Sequence, residues 1–271
     1  MDIKITQLFI YPIKGLPGIS VQTSLLTKRG LQYDRRWMLV DENGRFLSQR
    51  GLPILSQFKV LKGEQEFIIE APQKESTLTI PFQIFGSALQ VQVWEDTCLA
   101  YHFSEEADRW FSEILAQKCS LVYMPEQSVR ETPNNNQGAS GLVSFADAYP
   151  LLLIGQASLY KLNSLLAEPI RMDRFRPNMV LDGTTPFEED TFFEFTIGNN
   201  SFIAVKPCAR CSVISINQQS GEIGHEPLKT LSTFRQKHNK IYFGENALCT
   251  AGFHEISVGN KISILSHKMG L

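Results

Sequence analysis

Nothing in this sequence is apolar over enough length to cross a bilayer. The run from Pro150 to Ile154 stops at Gly155, far short of the roughly 20 residues that a spanning helix needs. The opening MDIKITQLFIYPIKG alternates polar and apolar residues and lacks the layout of a signal peptide. Cysteine is sparse: Cys98, Cys119, Cys208, Cys211 and Cys249 form an odd, scattered set of five, unlike an extracellular disulfide framework. A reducing, cytoplasmic compartment is therefore the expectation. Charge of one sign is lacking as well. The 26 basic and 28 acidic residues leave a net −2, so no global positive field points to nucleic acid. Neither an internal repeat nor a low-complexity linker separates the two halves. What is present is an ordinary soluble composition, 43% hydrophobic and 20% charged. It suits one large domain or two modest ones, with a real core and no disulfide staples.

The first hundred residues read as β structure. Ile3, Ile5, Leu8 and Ile10 make an extended run ending at Pro12, and Asp41-Glu42-Asn43-Gly44 is a hairpin signal between residues 36–40 and 45–49. Further strands are expected over 58–61, 67–70, 78–80 and 89–93, at a spacing that fits a small barrel or sandwich. Ser104 caps a helix with Glu105 and Glu106 in its first turn, and Ala107, Trp110, Phe111, Ile114 and Leu115 form its apolar face. Residues 131–141 are too polar for a core element and read as a mobile loop bordering a site. The second half mixes a helix over 158–167, strands over 179–181, 193–197, 202–205 and 212–216, a helix from Pro227, and a strand pair around Gly259-Asn260.

Chemistry concentrates in a few segments. Lys206-Pro-Cys-Ala-Arg-Cys-Ser212 places Cys208 and Cys211 beside Lys206 and Arg210, a positive setting that favours a thiolate. A thiolate is a soft metal ligand, but structural zinc needs four ligands and there is no second CxxC; a thioredoxin-like pair would open a helix, whereas a strand is expected here. Two ordinary buried cysteines is the bland alternative. In Arg174-Phe-Arg-Pro-Asn178, extended geometry puts Arg174, Arg176 and Asn178 on one side, fit for an anion or for neighbouring carboxylates. Lys14-Gly15 ends the opening strand in a turn that can present an ammonium. Arg35 and Arg36 follow Asp34, which can pair one and leave the other available. Asp147 sits between a polar loop and buried chain, as a proton-passing carboxylate or a turn cap.

In order along the chain, YPIKG, DRRWMLVDENGRFLSQR, FADAYPLLLI, RFRPN and CARC resemble the MOSC proteins that carry an N-terminal MOSC-type β-barrel, specifically the branch of the amidoxime-reducing component and its bacterial relatives. The resemblance implies a mainly β (α+β) fold: an N-terminal β-barrel-like domain over 1–120 packed against a MOSC β-barrel domain over 121–268, with a few helices. It further implies a molybdenum cofactor (molybdopterin) between them, with Cys211 as molybdenum ligand and Lys14, Arg35, Arg176, Asn178 and Arg210 as cofactor contacts. Arg36 competes with Arg35 for that role. Asp147 matches an active-site carboxylate, and the resemblance also leaves room for pyridoxal phosphate. Gly15, Ala209 and Ala148 depart from the family pattern by removing side-chain hydroxyls while keeping backbone amides. The implied activity is reduction of N-hydroxylated or N-oxide substrates. With no Cys-rich tail before Leu271, electrons are expected from an external reductase, ferredoxin or flavoprotein. Two other readings use the same residues: a persulfide carrier on Cys211, and a β-barrel module that binds an anion without turnover.

Overall fold

A computed structural model of the protein describes residues 2–72, 75–134 and 138–271. Strands dominate it, as expected. The largest sheet runs in the order Ile262–Ile264, Glu194–Ile197, Asn200–Ala209, Lys240–Ala251, Leu151–Gly155, Met179–Asp182, Lys4–Ile10 and Ile19–Val21, with Gln236–Lys237 paired off this path. Its strand Leu151–Gly155 is buried at every residue, which a continuous apolar run requires when both sheet faces are covered. A second sheet joins Ala88–Val93, Asp96–His102, Ser120–Tyr123, Trp37–Val40 and Ile13–Lys14. Two smaller sheets hold Lys59–Lys62 with Glu66–Glu70 and Thr77–Pro81, and Glu255–Ser257 with Thr23–Thr27 and Gly30–Leu31.

The two halves interlock. Lys4–Ile10 pairs antiparallel with Met179–Asp182 in the sheet built mostly by the second half, and Glu255–Ser257 adds an edge to the first-half strands Thr23–Thr27 and Gly30–Leu31, so strands are exchanged in both directions. One apolar cluster extends from Trp37, Leu39 and Phe111 to Leu153, Met179, Phe195 and Phe202. Alternation on Trp37–Val40 explains why that strand is buried on both faces. Trp37 and Leu39 enter the shared core, while Met38 and Val40 enter a smaller one with Val91, Val93 and Phe145. A further cluster of Leu152, Phe175, Ile214 and Phe243 lies under the cleft described below.

The helix Glu105–Leu115 forms as its sequence signals require. Ser104 Oγ accepts from the Ala107 amide at 3.1 Å, and Ala116 closes the helix in the left-handed region. The turn at 41–44 also forms, with Gly44 at φ 72° and its amide donating to Asp41 at 3.0 Å. Other expectations need correction. Residues 45–49 make only isolated bridges, Val40–Phe46 and Arg45–Gln92, instead of a return strand. The helix expected over 158–167 is Gln156–Asn163, and the one from Pro227 is the short Leu228–Ser232, whose neighbour Phe234 is 38% exposed. The segments flanking Gly259-Asn260 do not pair with each other: Glu255–Ser257 joins Thr23–Thr27, and Ile262–Ile264 joins Glu194–Ile197. Each strand places an isoleucine, Ile256 or Ile262, in the shared core through its distant partner. Of the loop expected over 131–141, residues 135–137 lie outside the described set. Its flanks are tied where the Thr132 amide donates to the Gly141 carbonyl at 2.8 Å. No helix among the described residues is long and apolar enough to cross a membrane.

Candidate functional site

Five separate segments converge on one cleft of about 290 Å³, and Lys14, Arg35, Asp147, Arg176, Asn178, Arg210 and Cys211 all line it. Each arrives by a different local device. Lys14 ends a two-residue strand paired parallel with Trp37–Val40, and Gly15 turns the chain away at φ 91°. Arg35 has φ 50°, a left-handed conformation that ordinary side chains rarely adopt. Arg176 shares it at φ 56°, where it closes the 3₁₀ turn Met172–Phe175. This corrects the extended geometry expected for 174–178. Arg174 is aimed elsewhere, at the Ile214 carbonyl 3.4 Å away. Two non-glycine residues held left-handed at the same cleft mark a site where tertiary packing overrides backbone preference.

The cations in the cleft fall into partnered and unpartnered groups. Lys14 Nζ donates to Asp147 Oδ1 at 2.5 Å and to the Phe145 carbonyl at 2.8 Å. Burial lowers the Lys14 pKa, opposed by Asp147. The Lys14 ammonium, against the cost of desolvation, holds the Asp147 carboxyl well below the usual carboxylate range. Arg35 donates to Asp34 Oδ2 at 2.5 Å, to Asn178 Oδ1 at 3.2 Å and to the Arg176 carbonyl at 3.2 Å. Asp34 is fully buried and also accepts from the Tyr11 amide at 2.8 Å. Arg36 points away from the cleft, to the Met124 carbonyl and to Glu126 Oε1 at 2.7 Å, so it is Arg35 that faces the site.

Arg176 stands apart. Its guanidinium lies over the Tyr11 ring at 4.4 Å, as Arg35 does at 4.2 Å, yet it has no hydrogen-bond or ion-pair partner among the described residues. Burial brings its pKa down to about 10, the cost of keeping a cation in low-dielectric surroundings. Arg210 donates to the Phe175 carbonyl at 2.7 Å and to Cys208 Sγ at 3.1 Å, while its Nε is buried with no partner. Asn178 has less freedom than a direct contact needs. Its amide donates to the Phe9 carbonyl and accepts from the Leu152 amide and Arg35, each at 3.2 Å.

Cys211 is exposed, in extended geometry at φ −112°, and precedes the 3₁₀ turn Ser212–Ser215. That turn replaces the strand expected over 212–216, and it buries Ile214 beside Phe175 and Phe243. Cys208 is half-buried and engaged by Arg210. No cluster of three or more His, Cys, Asp or Glu gathers among the described residues, so a metal here would rest on few protein ligands.

Sequence reading missed several residues that build the site. Arg130, 5% exposed, donates to the carbonyls of Ser144 and Ala146 at 2.8 and 2.5 Å and of Asp147 at 3.1 Å, and pairs with Asp96 at 2.9 Å. Trp94, left-handed at φ 58°, donates its indole N–H to Asp147 Oδ1 at 3.2 Å. Gln49 and Gln218 exchange amide hydrogen bonds at 3.2 and 3.1 Å, and Gln49 also donates to the Gly15 carbonyl at 2.7 Å. Nothing local in the sequence marks any of these four.

Comparison with known proteins agrees with the residue pattern. Residues 2–118 match the MOSC N-terminal beta barrel domain, and residues 140–263 match the MOSC domain. The mitochondrial amidoxime reducing component 2 of Rattus norvegicus is 31% identical over 85% of this chain and 72% of its own length. Molybdenum cofactor sulfurases also match: that of Oryza sativa subsp. japonica is 30% identical over 90% of this chain and 32% of its own length. That of Drosophila mojavensis is 32% identical over 89% of this chain and 31% of its own. The chain thus spans about a third of the sulfurases it matches.

Proposed function

Because this chain belongs to the MOSC family, with an N-terminal MOSC β-barrel domain ahead of a MOSC domain, we propose that it binds a molybdenum cofactor in the cleft and reduces N-hydroxylated or N-oxide compounds. The single observation that carries the reading is the unpartnered Arg176 guanidinium in the cleft that Cys211 lines. A half-buried cation without a partner carries a desolvation cost that an anion in the cleft would offset. Beside it, Arg210 Nε is a buried donor left unmet. A group that bears a phosphate and takes a sulfur ligand fits both features, with Arg176 and Arg210 on its anionic part and the Cys211 sulfur on its metal.

When bound, such a cofactor supplies the two-electron chemistry that cleaves an N–O bond, with electrons delivered from outside the chain. The protein's own residues hold and orient it. Arg35 is braced by Asp34 and Asn178, and so keeps Arg176 in place by donating to its carbonyl. Lys14 contributes a fixed positive charge anchored by Asp147. At neutral pH the Asp147 carboxyl is ionised and strongly favours that form, so it accepts hydrogen bonds at the cleft and is poorly suited to donate or take up a proton. The domain division at about residue 120 is part of the same reading, with the cofactor seated where the two parts meet.

Elemental analysis of freshly purified protein tests the proposal: about one molybdenum per chain is expected, and reduction of benzamidoxime with a chemical reductant. A Cys211→Ala variant that kept both would overturn the anchor assignment. The kinship with molybdenum cofactor sulfurases and the exposure of Cys211 keep a persulfide-carrier reading in play. Intact-mass measurement separates the two. An added sulfur on Cys211 with no molybdenum favours the carrier.

A further inference from the structure

Two cations in the cleft have no task in the reading above. Six basic residues line it (Lys14, Arg35, Arg50, Arg176, Lys206 and Arg210) against one carboxylate, Asp147. Lys14 is paired with Asp147 and Arg35 with the buried Asp34. Arg176 and Arg210 match the roughly two negative charges of a phosphate monoester near neutral pH. Arg50 and Lys206 remain. Both are exposed, and neither side chain has a hydrogen bond or ion pair among the described residues, the Asn246 amide meeting only the Lys206 backbone carbonyl. Neither is loose, however. The Arg50 guanidinium lies over the Trp94 ring at 4.4 Å, and the Lys206 ammonium over the Tyr149 ring at 5.1 Å. An aromatic face holds a cation in place without neutralising it.

The backbone around each is shaped to the same end. Trp94 is fixed in the left-handed region, with its N–H on Asp147 and its ring against Phe46 at 5.0 Å. Lys206 lies on Asn200–Ala209, where the register with Lys240–Ala251 shifts between Ala204 and Lys206 and again between Pro207 and Ala209. Irregularities of this kind re-aim side chains beside functional sites.

We propose that Arg50 and Lys206 form a substrate subsite at the cleft for an anionic group, so that the preferred substrates are N-oxygenated compounds that carry a carboxylate. The inference rests on the reductase reading for the reacting group and on the cleft geometry for the anion. The cations act as charge-assisted donors to the carboxylate, and their aromatic supports lower the ordering cost of binding.

The test compares benzamidoxime with its 4-carboxylate on the cofactor-loaded protein. The expected result is a KM about tenfold lower for the carboxylate, from two partly exposed ion pairs, a ratio that shrinks as salt screens the charges. In an Arg50→Gln/Lys206→Gln double variant the ratio falls to near one, and in the charge-conserving Arg50→Lys/Lys206→Arg pair it is largely kept. Equal KM values in the parent protein overturn the subsite. So does a ratio unchanged in the double glutamine variant. Calorimetric binding of the same two compounds reads the subsite without turnover. If neither compound is reduced but the parent binds the carboxylate tighter and the glutamine variant does not, the subsite stands and the reductase reading fails. No charge preference in binding removes the subsite whatever the reaction.

Discussion

Lys14 and Asp147 meet at 2.5 Å across 133 residues of chain, and their pair joins the short strand Ile13–Lys14 to the loop at the start of the MOSC-matching half. The lysine side chain is 8% exposed and the carboxylate 64%, so the cation depends on the partner more than the reverse. Asp147→Asn leaves the ammonium with the Phe145 carbonyl and a weak neutral acceptor. A loss of about 1–3 kcal/mol is expected at pH 7, measured as a shift in the urea midpoint. Because the Asp147 pKa is lowered in the fold, its contribution is present above the ordinary carboxylate value and lost only as pH falls through the lowered one. The cost of the substitution should therefore hold steady between pH 5 and pH 7. A cost that vanishes at pH 5 would contradict the pairing.

Arg176→Gln tests the opposite case, a cation that the fold carries at a cost. Its charge is repelled by Arg35 and disfavoured by burial. Removing it should leave the stability of cofactor-free protein unchanged or raise it by up to about 1 kcal/mol. Binding of an anionic ligand should weaken by about tenfold or more, since charge-assisted hydrogen bonds are lost. Denaturant titration reads the first effect, and bound molybdenum per chain, or phosphate affinity by calorimetry, reads the second. A strongly destabilised variant would mean that Arg176 has a structural partner after all.

Arg130 holds the Asp147 loop without touching the cleft. Arg130→Met strips donors from three carbonyls and leaves Asp96 without its cation. A loss of about 3 kcal/mol is expected from these buried acceptors. The crosslink between Lys14 and Asp147 should loosen with it, visible as faster amide exchange at 145–148 under conditions where the variant remains folded.

Glu245 should make stability fall as pH rises. Its side chain is fully buried against Lys268 at 2.5 Å, and burial pushes its pKa up to about 8. Unfolded, the carboxyl titrates near about 4.3. Between those values the folded state binds more protons than the unfolded one, so stability is greatest at the acid end of the window and declines toward pH 8. Glu245→Gln removes this slope. Relative to the parent, the variant should gain stability steadily from pH 5 to pH 8.5 in urea titrations. A constant difference across that range would show that Glu245 is ionised throughout.

The helix Glu105–Leu115 and the turn at Gly44 were legible because their signals sit within a few residues of one another: a capping serine, acidic first turn and apolar face in one case, a left-handed glycine in the other. The five motifs likewise marked every residue of the candidate set that the cleft gathers. Local reasoning failed where long-range packing chose the conformation. Arg176 turned left-handed instead of extended, and Ser212–Ser215 coiled to bury Ile214. Leu228–Ser232 stopped short, leaving Phe234 outside the core. Arg36 and Arg35 are indistinguishable in the sequence, and only the direction of each side chain separates a Met124–Glu126 tie from a cleft cation.

The chain's own residue order determined the β-rich class, the family and the identities of the sulfur and cations that gather, because these depend on residue type and short-range pattern. Only the folded structure decided which cations are spent on Asp34 and Asp147 and which stay unpaired. Charge pairing across more than a hundred residues depends on which strands meet, and that is settled by burial of the shared core rather than by any neighbour in sequence.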